Sequence, residues 1–127
     1  MMVVLDASAL LTWLLDEAGA AEVEPLLAES MISSLNWSEV LQKSSSRHVD
    51  TSGLRDDLSA LGLSIAAFDQ EDAALAARLW VPGEGLSLPD RACLALGLRH
   101  QVPVVTADQA WAKKSVSVPI QILRRSA

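Results

Sequence analysis

Cysteine is nearly missing from this chain of 127 residues. Cys93 stands alone, which excludes an internal disulfide and leaves a cysteine-based zinc site short of ligands. It is read as a small buried hydrophobe. Long apolar runs are missing too. Half of the residues are hydrophobic and mean hydropathy is +0.27, yet charges recur before any stretch reaches the ~18 residues of a membrane span. The opening MMVVLDASALL carries no basic leader and holds Asp6 in mid-run, which argues against a secretory signal and predicts a cytoplasmic protein with no membrane partner. No GxxxxGK occurs, and Gly83 with Gly85 lacks the third glycine of a dinucleotide fingerprint because position 88 is leucine. Nucleotide cofactors therefore find no cradle. Positive charge is scarce: 10 basic against 16 acidic residues give a net charge of −6, a bulk field that repels nucleic acid. Any nucleic-acid chemistry here needs cations.

What is present is an alternation of short β-branched runs and helical stretches, with no internal repeat, over a length that suits a single domain spanning 1–127. Residues 2–5 read as a buried strand that passes through Asp6 and Ser8 into a helix over 9–15. A helix is expected over 22–29, with Pro25 in its first turn, followed by a short strand at Met31 and Ile32. Asn36 and Glu39 have the spacing of a cap and third position, and 51–61 repeats leucine at helical intervals. A strand over 63–68, a helix from the cap Asp69 to about Trp80, a helix opened by Ser87 with Pro89 in its first turn, and strands over 102–106 and 120–123 complete the pattern. Strands separated by helices imply parallel pairing, hence a three-layer α/β sandwich whose ligands sit beyond the carboxyl ends of the strands.

Four carboxylates stand at that edge. Asp6 follows the first strand, where burial carries a desolvation cost, and Asp108 follows the strand that ends at Thr106. Glu39 and Asp90 are expected in the first turns of helices, where the macrodipole favours an ionised acid. Each has a purely structural alternative as a helix cap or capping-box partner. Together, however, four acids at one sheet edge repel one another unless a divalent cation lies between them, and oxygen donors without His or Cys point to Mg²⁺ or Mn²⁺. His48 and His100 follow helical stretches, share no ligand spacing and are read as solvated or capping residues.

The ordered set of Asp6 with Ser8, Asn36-Trp37-Ser38-Glu39-Val40, Leu86-Ser87-Leu88-Pro89-Asp90-Arg91-Ala92, and Thr106-Ala107-Asp108 followed by Trp111 resembles the PIN-domain ribonucleases, and among them the VapC-type toxins of toxin–antitoxin pairs. That resemblance implies a sheet of order 3-2-1-4-5, a homodimer and a cognate antitoxin. It also implies an acidic pocket of Asp6, Glu39, Asp90 and Asp108, with Asp6, Asp90 and Asp108 on the metal and Ser8 and Thr106 supplying hydroxyls. One departure stands out. Such toxins usually continue an apolar helix after the glutamate, whereas 42–47 here is polar and serine-rich.

The expected activity is metal-dependent endoribonuclease cleavage, with RNA guided at the rim by Arg91, Lys113 and Lys114, or by Arg124 and Arg125. A catalytically inactive protein-binding scaffold is the alternative from another class. Trp13, Leu11, Leu14 and Leu15 keep it in view by offering more apolar surface than one helix side hides. A receiver-type signalling domain fits less well, since Asp6 lacks a paired acid and Thr106-Ala107-Asp108 occupies the place of its late lysine.

Overall fold

The computed structural model describes residues 1–113 and 118–123, with backbone only at 112 and 113. Among them are strands β1 (Val3–Leu5), β2 (Ser30–Ser33), β3 (Leu63–Ala66), β4 (Val104–Thr106) and β5 (Ile120–Ile122). All pairings are parallel, and the sheet order is β3-β2-β1-β4-β5. β1 is central, Val4 lying opposite Met31 on one side and Val104 on the other. A strand covered on both faces needs apolar side chains at successive positions. The pleat sends Val3 and Leu5 into one core and Val4 into the other.

Helices α1 (Ala7–Leu14), α2 (Ala20–Val23), α3 (Ser34–Ser46) and α4 (Leu54–Leu61) contribute Leu10, Val23, Val40 and Leu58 to the Leu5 side. α5 (Gln70–Arg78) packs on α6 (Leu88–His100), and α6 brings Cys93, Leu94 and Leu96 to the Val4 side. Two helical layers thus enclose the sheet, in the three-layer architecture and strand order anticipated above. α6 lies close to β4 because Gly97 has no side chain: a Cβ there would stand 2.6 Å from Val104 Cγ2. No helix among the described residues is long and apolar enough to cross a membrane.

Several local expectations are revised. The helix expected over 22–29 is instead α2 followed by a 3₁₀ turn, Glu24–Glu29. Pro25 lacks an amide hydrogen, so the α-helical ladder cannot continue through it and the chain tightens. α3 starts earlier than Asn36: Ser33 is its cap, and Asn36 lies buried inside the helix. Glu39 is therefore in the second turn, beyond the reach of the N-terminal dipole. The polar segment 42–47 continues α3 to Ser46, and Ser44 is wholly buried. β3 ends at Ala66, and the Phe68 amide instead donates to Ser34 Oγ at 2.9 Å. Trp13 is half-buried against the core; Trp80 is the tryptophan left in solvent, at 58% exposure, and Val81 and Leu88 are exposed as well.

Candidate acidic site

β1 is the point at which the strand order reverses direction, and Asp6 follows it at its carboxyl end. Parallel sheets place ligands there. Asp6 is 5% exposed and caps α1: Oδ1 accepts the Ala9 amide at 2.8 Å and the Ser8 hydroxyl at 2.7 Å, while Oδ2 accepts the Thr106 hydroxyl. The two hydroxyls are themselves held, since Ser8 Oγ accepts the Ala107 amide at 2.9 Å and Thr106 Oγ1 accepts the Asp108 amide at 3.0 Å. A hydroxyl has one proton. With both protons directed at Asp6, the 3.2 Å approach of Ser8 Oγ to Thr106 Oγ1 is a contact rather than a further bond.

Hydrogen bonds of this kind favour an ionised carboxylate, yet Asp6 titrates higher than usual. Burial pushes its pKa from 3.8 to about 6, outweighing the three hydrogen bonds, and the charge of Asp90 adds to the rise. Asp90 lies in the first turn of α6. Its backbone amide donates to Ser87 Oγ at 3.2 Å, and its Oδ2 accepts the Ser87 amide at 3.0 Å, a reciprocal capping box. Pro89 precedes it in that turn, where its lack of an amide hydrogen costs nothing.

Glu39 projects from α3 and is tied to α6 through Asn36. The buried Asn36 amide donates from Nδ2 to Pro89 O at 3.0 Å and to Glu39 Oε1 at 3.3 Å, leaving its Oδ1 buried with no partner. The Asn36 capping role suggested by sequence spacing is replaced by this bridge between two helices. Cys93, on the next turn of α6 after Asp90, reports the combined field. Burial raises its thiol pKa well above normal, and Asp6, Asp90 and Glu39 each add to the rise. These three acids therefore act on one region.

Asp108 is joined to Asp6 through Thr106, whose Oγ1 accepts the Asp108 amide and donates to Asp6. Asp108 Oδ1 accepts the Ala110 amide at 2.9 Å, and Asp108 lines a neighbouring cleft of about 730 Å³ with Ser8 and residues of α1 and α3. Among the described residues, no three of His, Cys, Asp or Glu form a ready-made group able to hold a metal ion. Two carboxylates are nevertheless sufficient for a hard cation such as Mg²⁺, which keeps several waters and takes one or two protein acids. The all-oxygen donor set and the charge of Asp90 acting on the buried Asp6 fit such an ion.

Among the other expected residues, Arg91 is half-buried and donates from Nη1 to Ala76 O at 2.9 Å, which directs it toward α5. The side chain of Lys113, together with Lys114, Arg124 and Arg125, lies outside the described residues. His48 and His100 are exposed. Sequence reasoning passed over Asn36 as anything but a cap and gave no role to Lys43 and Arg47, which line the cleft beside Asp108. Their spacing of four in a helix was the available signal.

The PIN domain family model matches residues 3–116. By sequence alone no curated protein matches the chain. Among solved structures, it is similar to a toxin–antitoxin complex from Klebsiella pneumoniae, with 23% identity and TM-score 0.70 over 87% of this chain and 91% of that one. It is also similar to VapBC2 from Rickettsia felis bound to a DNA fragment from their promoter, with 16% identity and TM-score 0.70 over 98% and 100% of the two chains. FitAcB from Neisseria gonorrhoeae matches with 19% identity and TM-score 0.68 over 94% and 96%. With the family model spanning most of the sequence and the sheet carrying the corresponding order, this chain belongs to the PIN-domain family.

Proposed function

We propose that this chain is a metal-dependent endoribonuclease of the VapC type, a toxin restrained by a cognate antitoxin, folded as one domain over 1–127 and acting as a cytoplasmic homodimer. The observation that carries the reading is the buried Asp6, whose proton affinity is raised by burial and by Asp90 at the carboxyl edge of the central strand. Such a carboxylate gains stability from a cation. PIN-domain relatives are generally nucleases that use divalent metals, and the structural neighbours above come from toxin–antitoxin complexes.

Asp6 and Asp90 would hold Mg²⁺ or Mn²⁺ most directly, with Glu39 and Asp108 completing the pocket. When bound, the ion supplies positive charge for a phosphodiester and lowers the pKa of a water. The protein's own part is positional. Ser8, Thr106 and the Ala9 amide fix both oxygens of Asp6. Asn36 fixes Glu39 against the α6 terminus that carries Asp90. A group held by such partners keeps its orientation when substrate arrives.

One observation favours a second reading, a catalytically inactive scaffold: each of the four acids already has a local hydrogen-bonding role. Incubation of the purified chain with total RNA, with and without Mg²⁺ or Mn²⁺, followed by mapping of the ends, separates the two. Discrete metal-dependent cuts support the nuclease; uncut RNA in every condition overturns it in favour of the scaffold.

A further inference from the structure

A chain of net charge −6 that handles a polyanion needs local cations; of the six described basic side chains three are paired or bonded elsewhere, and Arg78, exposed on α5, does not line the cleft beside Asp108. Arg91 is bonded to Ala76 O, Arg99 is clamped by Asp69, Glu71 and Asp72, and Arg55 pairs with its neighbour Asp56. Lys43 and Arg47 differ. They lie four residues apart at the end of α3, both exposed, and both line the cleft that Ser8 and Asp108 share. Lys43 has no ion-pair partner among the described residues. Arg47 has only a loose one, its Nη1 standing 4.0 Å from Glu17 Oε2 with both side chains substantially in solvent. Ser46, on the same helical face, also lines the cleft, its hydroxyl donating to the Lys43 carbonyl at 2.7 Å.

We propose that Lys43 and Arg47 form a phosphate-seating wall that holds the backbone of an RNA strand in the cleft next to the acidic site, with Glu17 as an internal competitor for Arg47. The inference rests on the ribonuclease reading and adds to it the residues that position the substrate. The polar segment 42–47 that departs from the usual apolar helix acquires a purpose: it supplies cations to the cleft that Asp108 also lines. The lining also holds Leu11 and Leu15, which would serve a polypeptide, and the acids Glu17 and Asp108; the complementarity to phosphate is local to the Lys43–Arg47 pair. The opposing explanation is structural, since cations near a helix C-terminus also favour the helix dipole.

Salt dependence separates these accounts. Binding of a labelled single-stranded oligoribonucleotide is measured against KCl in chelator, so that the probe is not cut, with metal-dependent cleavage followed in parallel. Each phosphate contact contributes about 0.7 to the slope of log affinity on log salt for a single strand, equivalent to about fourfold in affinity near 0.15 M. Lys43→Gln and Arg47→Gln are each expected to lose that much slope and affinity and to raise KM with little effect on kcat. Lys43→Arg restores the slope. Glu17→Gln acts in the opposite direction and tightens binding, because it frees Arg47. Unchanged affinity and slope in both glutamine variants, with or without a lower melting temperature, overturns the inference and leaves the cleft to a polypeptide or to structure alone. A parent that binds no RNA in chelator also overturns it, and the parallel cleavage assay then decides separately whether the ribonuclease reading stands.

Discussion

Thr106 donates its hydroxyl to Oδ2 of Asp6, so the carboxyl ends of two adjacent parallel strands, β1 and β4, are fastened through side chains as well as through the sheet. The same carboxylate caps α1 through the Ala9 amide. One buried acid thus closes a strand pair, starts a helix and faces the charge of Asp90.

The proton equilibrium of Asp6 gives the first prediction. Its pKa is about 6 in the folded chain against an ordinary 3.8, so between those values the native state binds more protons than the unfolded one. Stability from this group is therefore greatest below about pH 4 and is lost as pH rises through 6, by on the order of 3 kcal/mol without metal. Asp6→Asn should flatten that part of the profile and melt at or above the parent at pH 7 in chelator. The network accommodates an amide: Thr106 accepts from it and turns its own proton to Ser8 Oγ, which lies at 3.2 Å. Denaturation across pH 4 to 8 checks this, and a variant that melts several degrees lower at pH 7 would show the carboxylate to be structural.

Asp90 provides the second. Asp90→Asn keeps an oxygen for the Ser87 amide, so α6 retains its capping box and the fold should survive, whereas Asp90→Ala should lose about 1 kcal/mol. Cleavage should vanish in both. Removing this charge should also lower the Asp6 pKa, moving the midpoint of its pH profile downward. Mg²⁺ or Mn²⁺ should raise the parent's melting temperature by mass action and do little for Asp6→Asn/Asp90→Asn. Equal shifts in parent and double variant place the ion elsewhere.

Asn36 is the part of this site that local sequence could not place. Its spacing to Glu39 imitates a capping box, but whether a polar side chain bonds its own backbone or crosses to Pro89 O depends on packing brought together over 53 positions. Asp6 was legible because it sits where a β-branched run gives way to a helix, whereas Ser8 and Thr106 were singled out by the family resemblance. Asp108 was legible as an acid after a strand, but not in its direction, which the Ala110 amide sets. The strand order followed from family resemblance rather than from hydrophobic periodicity, which gives elements without their neighbours. Lys43 and Arg47 were missed because a serine-rich stretch obscures the helical register that puts them on one face.

The bridge made by Asn36 is the third test. Asn36→Ala removes two hydrogen bonds and some buried volume, and should cost about 1 to 3 kcal/mol. Asn36→Asp keeps the shape but sets a buried carboxylate against Glu39 and the Pro89 carbonyl, so it should be much less stable at pH 7 and recover as the solution is acidified. Melts of both variants from pH 4 to 8 check the pair; an aspartate variant indifferent to pH would mean that the site is open to solvent.

The last prediction concerns the antitoxin. If uncontrolled cleavage of RNA is the activity, expression of this chain alone should slow growth, and expression of the adjacent open reading frame should restore it. The arrest must depend on the acids. Asp6→Asn and Asp90→Asn should be tolerated by cells while still co-purifying with the partner, because the changes alter charge within the site and leave the helical surfaces intact. The Asp90 variant keeps its cap and the Asp6 variant its hydrogen-bond network. If the antitoxin inserts a basic side chain among Asp6, Glu39 and Asp90, the same variants should bind it more weakly, by about tenfold for each charge-assisted hydrogen bond removed. Equal affinity for parent and variants would place the antitoxin wholly on apolar surface. A parent that is harmless to cells, monomeric and without a partner would contradict the toxin assignment while leaving the cleavage assay to decide whether a nuclease remains.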